Sequence, residues 1–346
     1  MQQSNNSKKN LCPICDSHGM GEHRSLKDLL FNVKGEWDIL LCSNKSCRIY
    51  WVNPRPEDFE MSALYNGYYT HTDKKKGGVK RYLVSIFDKV KNFYVIRKFG
   101  YVKNCDTYLQ NLLFTLINSW GALCAYFNAS VFFLDAKPDG RLLDIGCGNG
   151  DSIKYMSTLG WNVEGIEYDQ IAAENARSKG LTIHVGDLFN IKLSGDFDAI
   201  VMRHVIEHLP DPKKIISECF RLLKPGGVFV VLTPNSMSMG HRIYKSNWRG
   251  LEPPRHLQLF NRQNLSTILS ESGFKVEMSS TTANGAAFIY RGSHQILAKS
   301  KLNKAMRMSN FLWIVFFLMQ EVNSILSKFN KDFGEELSIL SRKPII

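Results

Sequence analysis

A chain of 346 residues with 22% charged and 44% hydrophobic side chains has the material for one large or two modest folded domains, and it falls outside the disordered, collagen-like and low-complexity classes. Its 44 Lys and Arg against 32 Asp and Glu leave a formal charge of +12, and the surplus sits in the flanks. Residues 1–138 hold 19 basic and 12 acidic side chains, residues 139–289 hold 16 of each, and residues 290–346 hold nine and four. A polyanion would therefore have to meet the extensions, and nucleic acid is not expected as a partner of the neutral middle.

The first ten residues, MQQSNNSKKN, put no apolar run behind their two lysines, so neither a signal nor a transit peptide is expected and a cytoplasmic location is. Four of the eight cysteines form a set: Cys12 and Cys15, then Cys42 and Cys47, with 26 residues between the pairs. Two short loops so spaced can offer four thiolates to one tetrahedral zinc, whose role would be structural because no coordination position stays open. Trp37–Leu41 reads as a strand entering the second loop and Arg48–Val52 as one leaving it, which predicts a zinc ribbon over residues 1–56.

Residues 57–138 read as a basic and apolar helical linker or lid. Positions 74–103 carry ten basic side chains and one acid, Asp88, whereas Thr107–Leu134 carries no charge at all. A single membrane span there would set the ribbon and the core on opposite sides of a bilayer. The expectations that stay open are peripheral contact with the inner membrane face, or helices that roof the active site or form a homodimer interface.

From Arg141 short apolar runs alternate with amphipathic helices, the pattern of a parallel α/β sheet. Arg141–Gly146 is a strand leading into the turn Gly146-Cys-Gly-Asn-Gly150, and Asp151–Leu159 is a helix. Strands follow at Val163–Glu167, Ile183–Asp187, Asp198–Met202 and Val228–Thr233. Asp211-Pro212 caps and opens the helix before the fifth of them. A sixth strand is expected near Phe274–Thr281 and a last one near Glu335–Ser341, with an inserted helix pair at about 286–332 that contains the nine-residue apolar run Phe311–Met319. Ligands of such sheets lie beyond the carboxyl ends of the strands, which here carry Asp144, the glycine turn, Glu167, Asp187 and the segment Arg203–His208.

With Leu142-Leu-Asp-Ile-Gly-Cys-Gly-Asn-Gly150 the sequence resembles the class I S-adenosylmethionine-dependent methyltransferases, from about Arg141 to Phe274. The resemblance implies an α/β fold, a doubly wound, mostly parallel, seven-stranded Rossmann-like sheet over residues 139–346. It also implies S-adenosylmethionine as cofactor: Gly146, Gly148 and Gly150, with Cys147 between them, against its methionine part, and Asp144 ordering the turn. Glu167 would take the ribose hydroxyls and Asp187 with Leu188 the adenine edge, with Tyr168 and Arg203 at the adjoining strand ends. A narrower likeness rests on the ribbon, Asn53-Pro-Arg-Pro56, Tyr65–His71 and Trp248–Phe260. These are similar to bacterial methyltransferases that modify surface polysaccharides and other sugars. The core is also similar to the ubiquinone-biosynthesis O-methyltransferases, whose Glu-x-x-Glu-His segment here reads His204-Val-Ile-Glu207-His208.

The sulfonium methyl is already electrophilic, so a hydroxyl acceptor needs only alignment and removal of its proton. His208 is the favoured base, since imidazole titrates near neutrality, with His204 and His256 as the other candidates. Residues 236–260 form a predicted lid in which Tyr244 and Trp248 suit sugar rings and Arg242, Arg249 and Arg255 suit phosphates. The expected reaction is methyl transfer to a sugar hydroxyl of a nucleotide-linked or lipid-linked glycan. Methylation of a quinone-like small molecule or of RNA are the rival activities, and a non-enzymatic ribbon protein is the rival without chemistry.

Overall fold

The computed structural model describes residues 10–56, 78–101, 107–302 and 309–345. Tyr65–His71, the basic residues Lys74, Lys75, Lys76 and Lys103, and Lys304 and Arg307 lie outside the described residues.

The N-terminal part is an antiparallel sheet of β1 (Gly19–Leu26), β2 (Trp37–Cys42) and β3 (Tyr50–Asn53). Its fourth member comes from far along the chain: β9 (Gln258–Leu259) pairs with Tyr50 and Trp51. The ribbon is thus stitched to the rest of the protein through its own backbone ladder. Its cysteines Cys12, Cys42 and Cys47 share one buried cluster with Ile145, Ile200, Phe229 and Leu265 of the larger unit. Two polar ties, Lys213 Nζ to the Ile14 carbonyl at 2.9 Å and Asn264 Nδ2 to the Cys47 carbonyl at 2.8 Å, complete the docking.

The second sheet has seven strands in the order β10-β11-β8-β7-β4-β5-β6. These are β4 (Arg141–Ile145), β5 (Asn162–Glu167), β6 (Thr182–Val185), β7 (Phe197–Arg203), β8 (Leu223–Pro234), β10 (Lys275–Thr282) and β11 (Glu336–Arg342). β4 to β8 run parallel, and β11 is antiparallel to both β8 and β10. Leu142, Leu143, Ile200, Val201, Phe229, Val230 and Val231 are fully buried, as strands covered on both faces require. The strand order reverses between β4 and β7, so the ligand crevice of such a sheet opens there.

One face is covered by α1 (Gly78–Phe99), α2 (Tyr108–Ser119), α3 (Gly121–Ser130) and α4 (Asp151–Thr158), with Tyr94, Phe127, Met156 and Trp161 in their common core. α2 and α3 meet at Trp120 with a 99° bend, so the uncharged stretch 107–134 is two short helices and no continuous span. Thr107 starts α2 through a reciprocal capping box with Gln110. After α5 (Gln170–Ser178) comes α6 (Pro212–Leu222), capped by Asp211 onto the Lys214 N–H with Pro212 in its first turn, as the sequence predicts. α7 (Met239–Tyr244) and α8 (Arg262–Glu271) follow. The insertion between β10 and β11 is the helix pair α9 (Ala286–Leu302) and α10 (Asn310–Phe329).

Candidate functional site

The glycine turn after β4 has physical reasons for its glycines. Gly146, Gly148 and Gly150 have φ of 75°, 56° and 77°, left-handed values that strain any residue with a Cβ. At Gly146 a Cβ would lie 2.4 Å from Cγ2 of Val205, and at Gly150 2.5 Å from Leu181, so both are also packed too closely for a side chain. Gly148 differs: nothing lies within 4 Å of its Cβ position, and its backbone borders open space. The contact between Gly146 and Val205 brings the segment after β7 beside the turn, which sets the edges of the crevice.

Glu167, at the end of β5, spans the turn. Its Oε2 accepts the Gly148 N–H at 2.7 Å and its Oε1 accepts the Asp169 N–H at 2.9 Å. Asp144 lies in β4 beneath the turn, 4% exposed; burial and then the charge of Glu167 push its carboxyl up to about 8 against the opposing pull of Arg203. Arg203 ends β7 and reaches Ser152 Oγ at 3.5 Å. Asp187 follows β6, caps a short turn of helix by accepting the Phe189 N–H at 2.9 Å, and is exposed, while Leu188 is buried beneath it. Tyr168 is exposed beside Glu167, and Cys147 is buried against Gly165. All the positions expected to serve a cofactor therefore line the carboxyl ends of the adjacent strands β4, β5, β6 and β7. An open backbone at Gly148, a carboxylate at Glu167 and a second at Asp187 fit a nucleoside bearing a charged amino-acid tail.

The three candidate bases separate. His204 follows Arg203 with φ of 55°, and 47% of its side chain is open to solvent. Its Nε2 lies 3.1 Å from Glu336 Oε1 and its Nδ1 3.5 Å from Glu207 Oε1. Partial desolvation against the protein opposes charge, yet the hydrogen bonds and charges of Glu207 and Glu336 outweigh it and raise His204 to about 9. His208 is the favoured base in the sequence, but Nδ1 meets the Arg255 carbonyl at 2.9 Å and Nε2 faces Glu207 Oε1 at 4.0 Å, with 13% of the side chain exposed. Both of its nitrogens look into the protein, and the ring that opens to the crevice is that of His204. His256 is 6% exposed, its Nδ1 bonds the Gly250 carbonyl at 2.7 Å, and burial lowers it to about 4. It cannot reach an acceptor from there, which removes it from the set of bases.

Glu207 and Glu336 were not singled out by sequence. Glu207 is fully buried, accepts from Thr233 Oγ1 at 2.9 Å, and is held near 2 because the neighbouring histidines outweigh the cost of burial. Glu336 opens β11 and accepts from Asn284 Nδ2 at 3.0 and 3.2 Å. The adjacency Glu207-His208 was a visible signal for the first, and the doublet Glu335-Glu336 gave none for the second, since the side that faces the crevice depends on register.

The predicted lid is rearranged as well. Trp248 is 1% exposed, stacks on His241 at 4.8 Å and donates Nε1–H to Glu335 Oε2 at 3.1 Å, so its ring is no platform for a sugar. Arg255 is fully buried, paired with Asp28 at 3.1 Å and Glu252 at 3.0 Å and lying over Phe31, so it ties the ribbon to the lid and is closed to a phosphate. Arg249 is half-buried with Nη2 3.7 Å from Glu252. Arg242 is exposed over the Phe333 ring and Tyr244 is half-buried beside Tyr290, and these two keep an open side at the end of β8.

In the ribbon the four sulfurs of Cys12, Cys15, Cys42 and Cys47 all lie within 4.8 Å of one another, with Cys12–Cys47 at 3.8 Å and Cys15–Cys42 at 3.5 Å. A tetrahedron with Zn–S bonds near 2.3 Å has S–S edges of about 3.8 Å. The donor set suits a tetrahedral metal ion.

Comparison with known proteins agrees with this architecture. Residues 120–279 match the family model described as a methyltransferase domain. The chain is 36% identical over 149 residues, 42% of its own length and 56% of the other, to a Mycolicibacterium smegmatis protein named as a probable S-adenosylmethionine-dependent methyltransferase. It is 37% identical over 103 residues, 28% of its length and 43% of the other, to the ubiquinone biosynthesis O-methyltransferase of Xanthomonas oryzae pv. oryzae. The chain spans about half the length of the curated relatives it matches. An S-adenosylmethionine-dependent methyltransferase structure from Mesorhizobium loti superposes with a TM-score of 0.44 at 18% identity, over 63% of this chain and 97% of that one. Residues 120–279 thus match a methyltransferase domain, and the relatives that cover part of the chain are named as methyltransferases.

Proposed function

We propose that this protein transfers a methyl group from S-adenosylmethionine to a hydroxyl of a sugar-containing acceptor. The observation that carries the reading is the pairing of the glycine turn and Glu167 with a crevice-facing imidazole, His204, flanked by two carboxylates. Gly146–Gly150, Glu167 and Asp187 would hold the cofactor, which supplies a methyl carbon already activated by the sulfonium charge.

The protein's own task is then proton management and alignment. His204 takes the hydroxyl proton as the oxygen attacks, and Glu207 and Glu336 stabilise the imidazolium that results. The same carboxylates hold His204 protonated in the resting protein at neutral pH, so the base form grows as pH approaches 9. His208 acts as a positioning residue, fixing Glu207 from the side of the Arg255 carbonyl.

A sugar acceptor is favoured by the likeness of the sequence to polysaccharide-modifying enzymes and by the exposed Arg242. Trp248 and Arg255 lend it no support. Zinc at the four cysteines would be structural, because their sulfurs close a tetrahedron and sit in the shared core. The test is product mass from a panel of nucleotide sugars, lipid-linked sugars and catechol-type phenols incubated with the cofactor. A gain of one methyl on a sugar hydroxyl supports the reading. Methylation of the phenols alone would transfer the enzyme to the quinone-like class.

A further inference from the structure

Among the described residues, most of the exposed large apolar side chains lie on α2 and α10. α2 carries no charged residue, and Ile117 is its one buried side chain among the described residues, with Leu109 73% and Leu116 60% exposed. On α10, Phe311 is 70%, Leu318 61% and Phe329 85% exposed. The two helices meet where α2 passes into α3. Trp120 at the end of α2 donates Nε1–H to Glu321 of α10 at 2.8 Å, and a Cβ at Gly121 would meet Ser324 Oγ at 2.2 Å, so the backbone of α3 lies hard against α10.

α10 is long and apolar enough to cross a membrane, with a mean hydropathy of 1.3 over its best window, yet only 17% of that window is buried. A core helix of this composition would be mostly covered. Its inner side is nonetheless committed to protein, through Phe316, Asn323 and Ser324, which are buried against α9, α3 and the Phe333 carbonyl. A helix with one face on protein and the other apolar and bare lies along an interface, where a spanning helix would have to leave the domain.

The charge around this face selects the occupant. Arg97 of α1 lies over the Phe114 ring of α2, Lys328 of α10 packs beside Gly121 at the start of α3, and Lys301 is exposed at the end of α9, in flanks with a surplus of positive charge. Anionic headgroups neutralise such a rim. A second copy would bring two like-charged rims together.

The face is also joined to the site. α9 begins two residues after Asn284, which holds Glu336, and Glu336 holds His204, so the α9–α10 hairpin rises from the rim of the crevice.

We propose that the α2–α10 face docks on an anionic lipid bilayer and that the acceptor enters the crevice from that surface as a lipid-linked molecule. The second half of this inference rests on the methyl-transfer reading, while the first stands without it.

The test is flotation of the full chain with phosphatidylcholine vesicles and with vesicles also holding phosphatidylglycerol, at low and high salt. Oligomeric state is measured by light scattering in parallel. Binding to the anionic vesicles should exceed binding to the neutral ones at least ten-fold and fall steeply with salt. The double variants Leu109→Glu with Leu116→Glu, and Phe317→Glu with Leu318→Glu, should each lose binding ten-fold or more, with melting curves like the parent's to show that the fold is kept. Absence from both vesicle types at low salt would overturn the proposal. So would binding that survives both double variants, or a dimer that those same substitutions dissolve, since a second copy would then be the occupant. Vesicle binding without methylation of any lipid-linked sugar would sink the acceptor half alone.

Discussion

His204 Nε2 and Glu336 Oε1 meet at 3.1 Å across 132 residues of sequence, joining the end of β7 to the start of β11 at the floor of the crevice. The pair, with Glu207 on the other ring nitrogen, raises His204 to about 9 from an ordinary value of 6.5. A histidine whose folded value is raised contributes stability that is complete below 6.5 and is lost as pH climbs through 9.

Activity should follow the opposite course. The account predicts that kcat/KM rises with pH toward a limb near 9, and that Glu336→Gln moves the limb down by about one unit by removing one carboxylate. His204→Gln should lower kcat roughly 100-fold while leaving cofactor affinity within about two-fold. A pH-rate series on the three proteins checks this. A limb that does not move in Glu336→Gln would detach the pair from proton transfer.

Arg255 supplies a test that separates structure from recognition. Its fully buried guanidinium neutralises Asp28 of the ribbon side and Glu252 of the lid. Arg255→Ala would strand two buried carboxylates, at a cost of about 3–5 kcal/mol. The melting temperature should fall by several degrees, with KM for the acceptor unchanged in whatever protein stays folded. Unaltered stability with a raised KM would restore Arg255 to substrate binding.

Two glycines of one turn should fail in different ways. Gly150→Ala combines φ of 77° with a contact at 2.5 Å to Leu181, so the loss appears in thermal stability. Gly148→Ala meets nothing within 4 Å and pays only the left-handed penalty, roughly 1–2 kcal/mol, while its methyl points into the space a cofactor would fill. That variant should melt near the parent and lose cofactor affinity at least ten-fold, which calorimetry and a melting curve separate.

The four ribbon cysteines should carry one zinc per chain, and Cys42→Ser should lower the content below half an equivalent and destabilise the whole protein. The reason is that Cys12, Cys42 and Cys47 belong to the same buried cluster as Ile200 and Phe229 of the large sheet. Elemental analysis of reduced protein, with melting curves before and after a chelator, is the measurement. Full stability after metal removal would show that the ribbon only rides on the domain.

Much of this was legible in the sequence because local chemistry dictates it. Asp211-Pro212 marked a helix start, and the apolar runs at Leu142, Ala199 and Val228 became the central strands β4, β7 and β8, covered on both faces. What sequence could not supply was long-range register. Nothing near Gln258–Leu259 announces that two residues will complete a sheet begun at Gly19, and nothing near Glu336 says that it will face His204. Trp248 and Arg255 misled for a related reason: aromatic and guanidinium groups that suit a ligand also suit a buried contact, and Glu335, Glu252 and Asp28 come from elsewhere to claim them. Among the histidines the sequence shows no orientation, and it is the fold that leaves His204 exposed and turns His208 onto the Arg255 carbonyl.

Whether Glu167 and the glycine turn hold S-adenosylmethionine is decided by calorimetric titration of S-adenosylhomocysteine into the parent protein and into Glu167→Ala. Glu167 Oε1 and Oε2 already organise the turn through Asp169 and Gly148, and charge-assisted bonds to the ribose contribute about 1.5–3 kcal/mol each. The account predicts one site per chain in the parent and a loss of affinity of ten-fold or more in Glu167→Ala. No binding to the parent, or equal binding to both, would contradict it.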